Sequence, residues 1–163
     1  MKQFICMFFI LFLSLYNRAS AQSTISIADI RVNGLGFCST KQDVMAVFGK
    51  PRKEYQPNYE CGFLSDDENG TYFTLEYTDI KFTGNEKEKY VLDKIKFNDK
   101  TSLELTYKGK VLSVKTTVED FCHFMGIENN KTSFLLFVEG ADDALLFTFT
   151  GGFLSSVQYW SPC

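Results

Sequence analysis

The sequence predicts an α+β protein made of two β-α-β-β-β repeats, with short helices packed on antiparallel sheet. Three observations lead there. The stretch TKQDVMAVFG, Thr40 to Gly49, has a relative in TVEDFCHFMG, Thr117 to Gly126, 77 positions further on. Each is preceded by a short apolar run and a turn, Asn33-Gly34 in one and Lys108-Gly109 in the other. Each is followed by runs that read as strands. Two helices with the same cap, face and stop point to an internal duplication. Residues 22–100 form the first repeat and 101–163 the second.

The chain opens on a segment outside the fold. Lys2 is followed by an apolar run, Phe4 to Leu15, and Ala19-Ser20-Ala21 is a small-x-small cleavage site. That is the pattern of a secretory signal peptide over residues 1–21, too short for a spanning helix of about 20 apolar residues. Cys6 lies inside the apolar run rather than after a small-residue motif, so a lipid anchor is not expected. No later segment is apolar enough to span a membrane. The expected location is secreted or periplasmic, with no stable membrane insertion.

The full chain carries a formal net charge of −3; loss of Lys2 and Arg18 with the leader leaves 15 basic against 20 acidic residues, a net −5. An acidic chain without a basic stripe is a poor nucleic-acid binder, because phosphates are repelled. A protein partner is compatible with this balance.

The first repeat begins with IADIRVNGLGF, Ile27 to Phe37, a strand entering an Asn-Gly turn. In its helix Thr40 caps, Asp43 sits three residues on, and Val44, Val47 and Phe48 form one apolar face. Gly49 ends the helix and Pro51 blocks its continuation. Strands follow at Tyr59 to Leu64, Thr71 to Tyr77 and Val91 to Phe97. In the last, Val91, Ile95 and Phe97 share one side and Asp93 is the exception. Thr83 to Lys89, TGNEKEK, reads as a long polar hairpin tip. The second repeat follows the same order. LELTYKGKVLSV, Leu103 to Val114, enters a helix capped by Thr117, with Phe121, Phe124 and Met125 inward and Gly126 as its stop. Strands follow at Ser133 to Val138, Ala144 to Thr150 and Phe153 to Trp160, the last two joined by Gly151-Gly152.

Four cysteines remain beyond the leader: Cys38, Cys61, Cys122 and Cys163. An even number in an exported chain reads as two disulfides, and three pairings are possible. Pairing within repeats, Cys38 with Cys61 and Cys122 with Cys163, is the expectation. It closes loops of 24 and 42 residues, worth roughly 3–4 kcal/mol each in the chain-entropy treatment. No two of these cysteines are close in sequence and His123 is the single histidine, so no metal site and no cofactor are expected.

Catalytic constellations are not evident. His123 and Cys122 are helix neighbours and point about 100° apart, which does not make a nucleophile pair. The acidic turn Ser65-Asp66-Asp67-Glu68-Asn69-Gly70 lacks the glycine spacing of a calcium loop. No Gly-x-Ser-x-Gly, His-Glu-x-x-His or phosphate-binding glycine loop is present. Asn69-Gly70-Thr71 and Asn130-Lys131-Thr132 are glycosylation sequons, meaningful only in a eukaryotic host. The aromatic residues remain. Phe73, Phe147, Phe149 and Phe153 read as core, whereas Tyr72, Tyr90 and Trp160 fall on the opposite strand face, among Thr, Ser and Gln. Tyr and Trp on a sheet face serve as interface anchors. The expected protein-binding residues are Asp66, Asp67, Glu68, Tyr72 and Trp160.

A Thr-x-x-Asp helix, a glycine stop and a following antiparallel meander, written twice over nearly all of residues 22–163, resembles the β-lactamase inhibitor protein family. The single unit also resembles the outer-membrane assembly lipoproteins of the SmpA/OmlA type. The first resemblance implies an exported tandem α+β domain with one disulfide per repeat that binds a protein on its sheet face. In that family a hairpin of the first repeat enters the partner's cleft, the place held here by the Asp66–Glu68 turn. This chain departs from the pattern after Gly49, where Pro51 and Pro57 leave no second helix, and its contact residues do not align one by one. The functional expectation is an exported, non-enzymatic protein-binding module, in the form of an inhibitor or immunity protein. An envelope assembly or structural factor and a small-ligand carrier are the alternatives.

Overall fold

The computed structural model describes residues 24–58, 70–100 and 102–162. Within them the chain is mixed α+β, with two α-helices and thirteen strands. The first half runs β1 (Thr24–Ile25), β2 (Ile30–Val32), β3 (Leu35–Gly36), β4 (Cys38–Ser39), α1 (Lys41–Phe48), β5 (Lys53–Tyr55), β6 (Phe73–Glu76), β7 (Ile80–Asn85) and β8 (Lys89–Lys96). The second runs β9 (Leu105–Tyr107), β10 (Lys110–Leu112), α2 (Val118–Met125), β11 (Ser133–Val138), β12 (Ala144–Thr150) and β13 (Phe153–Trp160).

Local chemistry explains the helices. Thr40 and Thr117 stand in extended conformation, and each hydroxyl accepts the amide of the aspartate three residues on. Each hydroxyl also donates to that aspartate's carboxylate, at 2.7 Å in α1 and 2.9 Å in α2. One free amide of each first turn is thereby satisfied and an acid is held at the positive end of the helix. Gly49 and Gly126 take positive φ and end the two helices. The paired turns are alike as well. Asn33 and Gly34 have φ of 47° and 84°, Lys108 and Gly109 of 46° and 79°. Such tight turns suit two-residue hairpins.

The strands form two sheets. The larger has the order β1-β11-β12-β13-β8-β7-β6-β5, with β4 also on β8; the smaller has the order β10-β9-β2-β3. Every pairing is antiparallel except β1 on β11. The halves meet at three strand pairs, one of them β1 on β11, where Thr24 and Ile25 oppose Phe137 and Val138. In the large sheet Ser156, Val157 and Gln158 oppose Lys96, Ile95 and Lys94. In the small one Ile30, Arg31 and Val32 oppose Tyr107, Thr106 and Leu105. One continuous core includes both sheets and both helices. Phe121 of α2 sits among Phe134, Phe147 and Phe149, with ring centroids 5.7, 4.8 and 5.2 Å away. Phe48 of α1 packs on Tyr77 and Phe82 at 5.7 and 5.4 Å.

Three strand expectations need correction. Thr83 to Lys89 is not a long tip: β7 continues through Thr83, Gly84 and Asn85, and only Glu86 to Glu88 turn. Asn85 is what makes the tight tip, its side-chain oxygen accepting the amides of Lys87 and Glu88 at 2.9 and 2.8 Å. Val91 does not share a side with Ile95 and Phe97. The β7–β8 register shifts between Lys81 and Phe82, leaving Asp93 as the extra residue of a bulge. Asp93 therefore follows Val91 outward, and Ile95 and Phe97 turn inward. Lys53–Tyr55, where no strand is expected, pairs with β6. The strand expected at residues 59–64 and the acidic turn, apart from Gly70, lie outside the described residues.

Candidate functional site: the outward face of the large sheet

Register places one residue from each of seven strands in a single line. From β11 to β5 the line reads Leu135, Leu146, Gln158, Lys94, Lys81, Glu76 and Lys53. The alternate positions on these strands, such as Leu136, Leu145, Val157, Ile95 and Leu75, belong to the core. The line is thus the outward face, because a strand sends successive side chains to opposite sides.

A second line lies beside it at the β11–β13 end. Phe137 opposes Ala144, and Ala144 opposes Trp160. Two strand spacings are about 10 Å, yet the Phe137 and Trp160 rings stand edge to face at 6.4 Å. They lean together over the small Ala144, which is fully buried. Trp160 keeps 41% of its surface exposed and Leu135 keeps 38%. Phe137 and Leu146 are half-buried. An exposed apolar cluster that includes a Trp is the composition of an interface anchor.

The middle of the face is polar and mostly cationic. Lys94 donates to the Gln158 side-chain oxygen at 3.1 Å. Lys81 donates to the Tyr55 hydroxyl at 3.2 Å and lies 3.6 Å from the Glu76 carboxylate. Its pKa is raised: burial pulls it down, but Tyr55, Glu76 and Asp93 together outweigh that. Lys96, opposite Ser156, and Lys53 are exposed and have no ion pair among the described residues. Beside these on the same face lies a proton-ordered chain. Thr83 donates to Asp93 at 3.0 Å, so the 2.8 Å contact between Thr74 and Thr83 has Thr74 as donor. Both threonines are buried. This chain fixes the bulged carboxylate from the side, since each hydroxyl has one proton to give.

The residues expected at the site are distributed unevenly. Trp160 is on this face and exposed. Tyr72 is 4% exposed and its hydroxyl donates to Glu88; Tyr90 is 1% exposed. Neither offers contact surface in the free protein. Phe153, expected in the core, is 49% exposed at the Gly151-Gly152 turn. Asp66, Asp67, Glu68, Cys61 and Cys163 lie outside the described residues. Cys38 is exposed on β4 and opposes Val91, hence the outward face; burial around its sulfur raises its pKa, partly offset by Lys89. It also stands one residue from Phe37, whose ring packs 5.6 Å from Tyr159. Cys122 is buried on α2 and its pKa is raised by desolvation. The two are not bonded to each other. His123 is exposed.

Sequence reading missed Lys81, Lys94, Gln158 and Leu135 as a group. Their alternation was legible strand by strand, but their alignment depends on β8 lying against β13.

A separate groove of about 690 Å³ runs between the β2–β3 hairpin and α1, lined by Ile27, Arg31, Leu35, Phe37, Asp43 and Val47 among others. Arg31 is turned partly onto its own segment, donating to the carbonyls of Ala28 and Ile30 at 2.6 and 2.8 Å. No described helix is long and apolar enough to cross a membrane. Comparison with protein-family models, curated proteins and solved structures finds no match for this chain.

Proposed function

We propose that residues 22–163 form an exported, non-enzymatic module that binds another protein on the outward face of the large sheet, as an inhibitor or immunity protein. The observation that carries this reading is the unbroken line from Leu135 to Lys53, with Trp160 exposed beside it. The line crosses seven strands, which at about 4.8 Å each span roughly 29 Å, the width of a standard protein interface. The Asp66–Glu68 turn is the second contact element in this proposal.

The face is that wide because the chain is duplicated, in our reading. Let residues 94–96 correspond to 156–158. The pair Ile95–Val157 then lies on a two-fold axis and its two neighbouring pairs exchange. Let 30–32 correspond to 105–107, and Arg31–Thr106 does the same in the small sheet. The bulges also correspond, with Asp93 extra on β8 and Ser155 extra on β13. These registers support two related β-α-β-β-β units joined edge to edge. They also support the likeness to the tandem inhibitor proteins.

The groove at Arg31 favours one other reading, a small-ligand carrier. Capture separates them. Oxidised 22–163 is immobilised and exposed to envelope and culture-fluid extracts, and retained species are identified by mass spectrometry. One stoichiometric exported enzyme or toxin is the expected result. A membrane assembly complex, or only a co-eluting small molecule, overturns the proposal.

A further inference from the structure

We infer that the occupant of this face is an acidic segment of the partner protein, with an apolar side chain set about 10 Å from its carboxylates. This inference rests on the protein-binding reading above. The whole chain is acidic, at −3, but the centre of this face is not. Lys53, Lys81, Lys94 and Lys96 stand on it against Glu76 and Asp93. The two acids are already engaged. Glu76 faces Lys81 at 3.6 Å, and Asp93 takes the Thr83 hydroxyl. Lys94 donates to a neutral amide, and among the described residues neither Lys94 nor Lys96 has an ion pair. Among the described residues these two cations thus lack a counter-charge, in a chain that is acidic as a whole. Complementary charge at that spot selects the partner and its register more than it adds affinity.

The apolar end sets the spacing. Lys94 is two strands from Leu146 through Gln158, a separation of about 10 Å. An extended segment covers that distance in about three residues, at roughly 3.3 Å each. The occupant therefore carries Asp or Glu about three positions from a Leu, Phe or similar residue. The apolar group covers Leu146 and Leu135 beside the Phe137–Trp160 pair.

A random twelve-residue peptide library displayed on phage, panned on oxidised 22–163, is the test. The expected winners are acidic, with an apolar residue about three positions from an acid. Their binding weakens roughly tenfold in the K94E/K96E variant, as two exposed attractions become repulsions, and also weakens as salt rises. Amide shifts in an NMR titration with one winning peptide fall on Lys94, Lys96, Gln158 and Trp160. An unchanged circular dichroism melt of K94E/K96E shows that the variant is folded. Winners that are neutral or basic but still shift Trp160 and Gln158 overturn the acidic inference and leave the protein-binding reading standing. Winners that shift residues elsewhere, or no winners at all, count against both.

Discussion

Phe121→Ala tests how α2 is held on the sheet. Phe121 is fully buried and its ring meets three other rings, with the nearest centroid at 4.8 Å. Removing it costs the transfer of the ring plus the cavity left among Phe134, Phe147 and Phe149, about 3–5 kcal/mol. Val44 holds the matching place on α1 and is also fully buried. Val44→Ala removes two methyl groups, about 1.6 kcal/mol of transfer, and leaves a smaller cavity; the expected loss is about 2 kcal/mol. Urea unfolding of oxidised 22–163, followed by far-ultraviolet circular dichroism and by the single tryptophan, Trp160, measures both. The midpoint shifts while the slope with denaturant is unchanged. A loss below about 1.5 kcal/mol at Phe121, or equal losses at the two sites, refutes the packing argument.

That asymmetry bears on what the sequence revealed. The caps and stops of both helices were readable, since each depends on residues within one turn; of the face expected on α1, Val44 and Phe48 turn inward but Val47 is 44% exposed. Ser133–Val138, Ala144–Thr150 and Phe153–Trp160 were readable to the residue, because apolar alternation and a Gly-Gly turn fix them locally. β7 was obscured by Gly84 and Asn85, which look like turn residues. Gly84 is there for another reason: a Cβ would meet the Lys89 carbonyl oxygen at 1.9 Å. The bulge at Asp93 reversed the facing of half of β8, and no local pattern announces a bulge. The candidate face was the least legible part. Its residues come from strands far apart in sequence, and Tyr72 alternates like a surface residue yet is buried, its hydroxyl donating to the exposed Glu88.

Further outcomes follow from single contacts. Gly84→Ala places its new methyl against β8 backbone that cannot yield as a side chain would, so a loss of about 1–3 kcal/mol is expected in the same urea assay; a neutral result contradicts the close approach. Thr40→Ala and Thr117→Ala each cost about 1 kcal/mol as lost caps, and together they add, to within about 0.5 kcal/mol if the helices are independent. Tyr159 has its pKa raised well above the ordinary 10, first by burial and then by its hydrogen bond to Asp143. The folded state thus holds that proton more tightly than the unfolded one. Its contribution is complete below pH 10 and is lost as pH rises beyond it, so Tyr159→Phe blunts the fall of stability in alkaline urea titrations; an unchanged alkaline profile contradicts the assignment. Within-repeat disulfides predict peptide maps joining Cys38 to Cys61 and Cys122 to Cys163. Cys38 joined to Cys163 refutes that pairing and ties β4 to the end of β13.

In the proposal above, the outward face of the large sheet does the binding. The most direct measurement is the affinity of the captured partner for three forms of 22–163: unaltered, Trp160→Ala and Val47→Ser. Val47 is 44% exposed on α1, away from the face, and serves as the control. A Trp anchor at an interface centre is worth about 2 kcal/mol or more, roughly thirtyfold in affinity. That loss is expected for Trp160→Ala, with a change within about twofold for Val47→Ser. Full affinity in Trp160→Ala, with binding lost in Val47→Ser, would place the partner on α1 and contradict the claim.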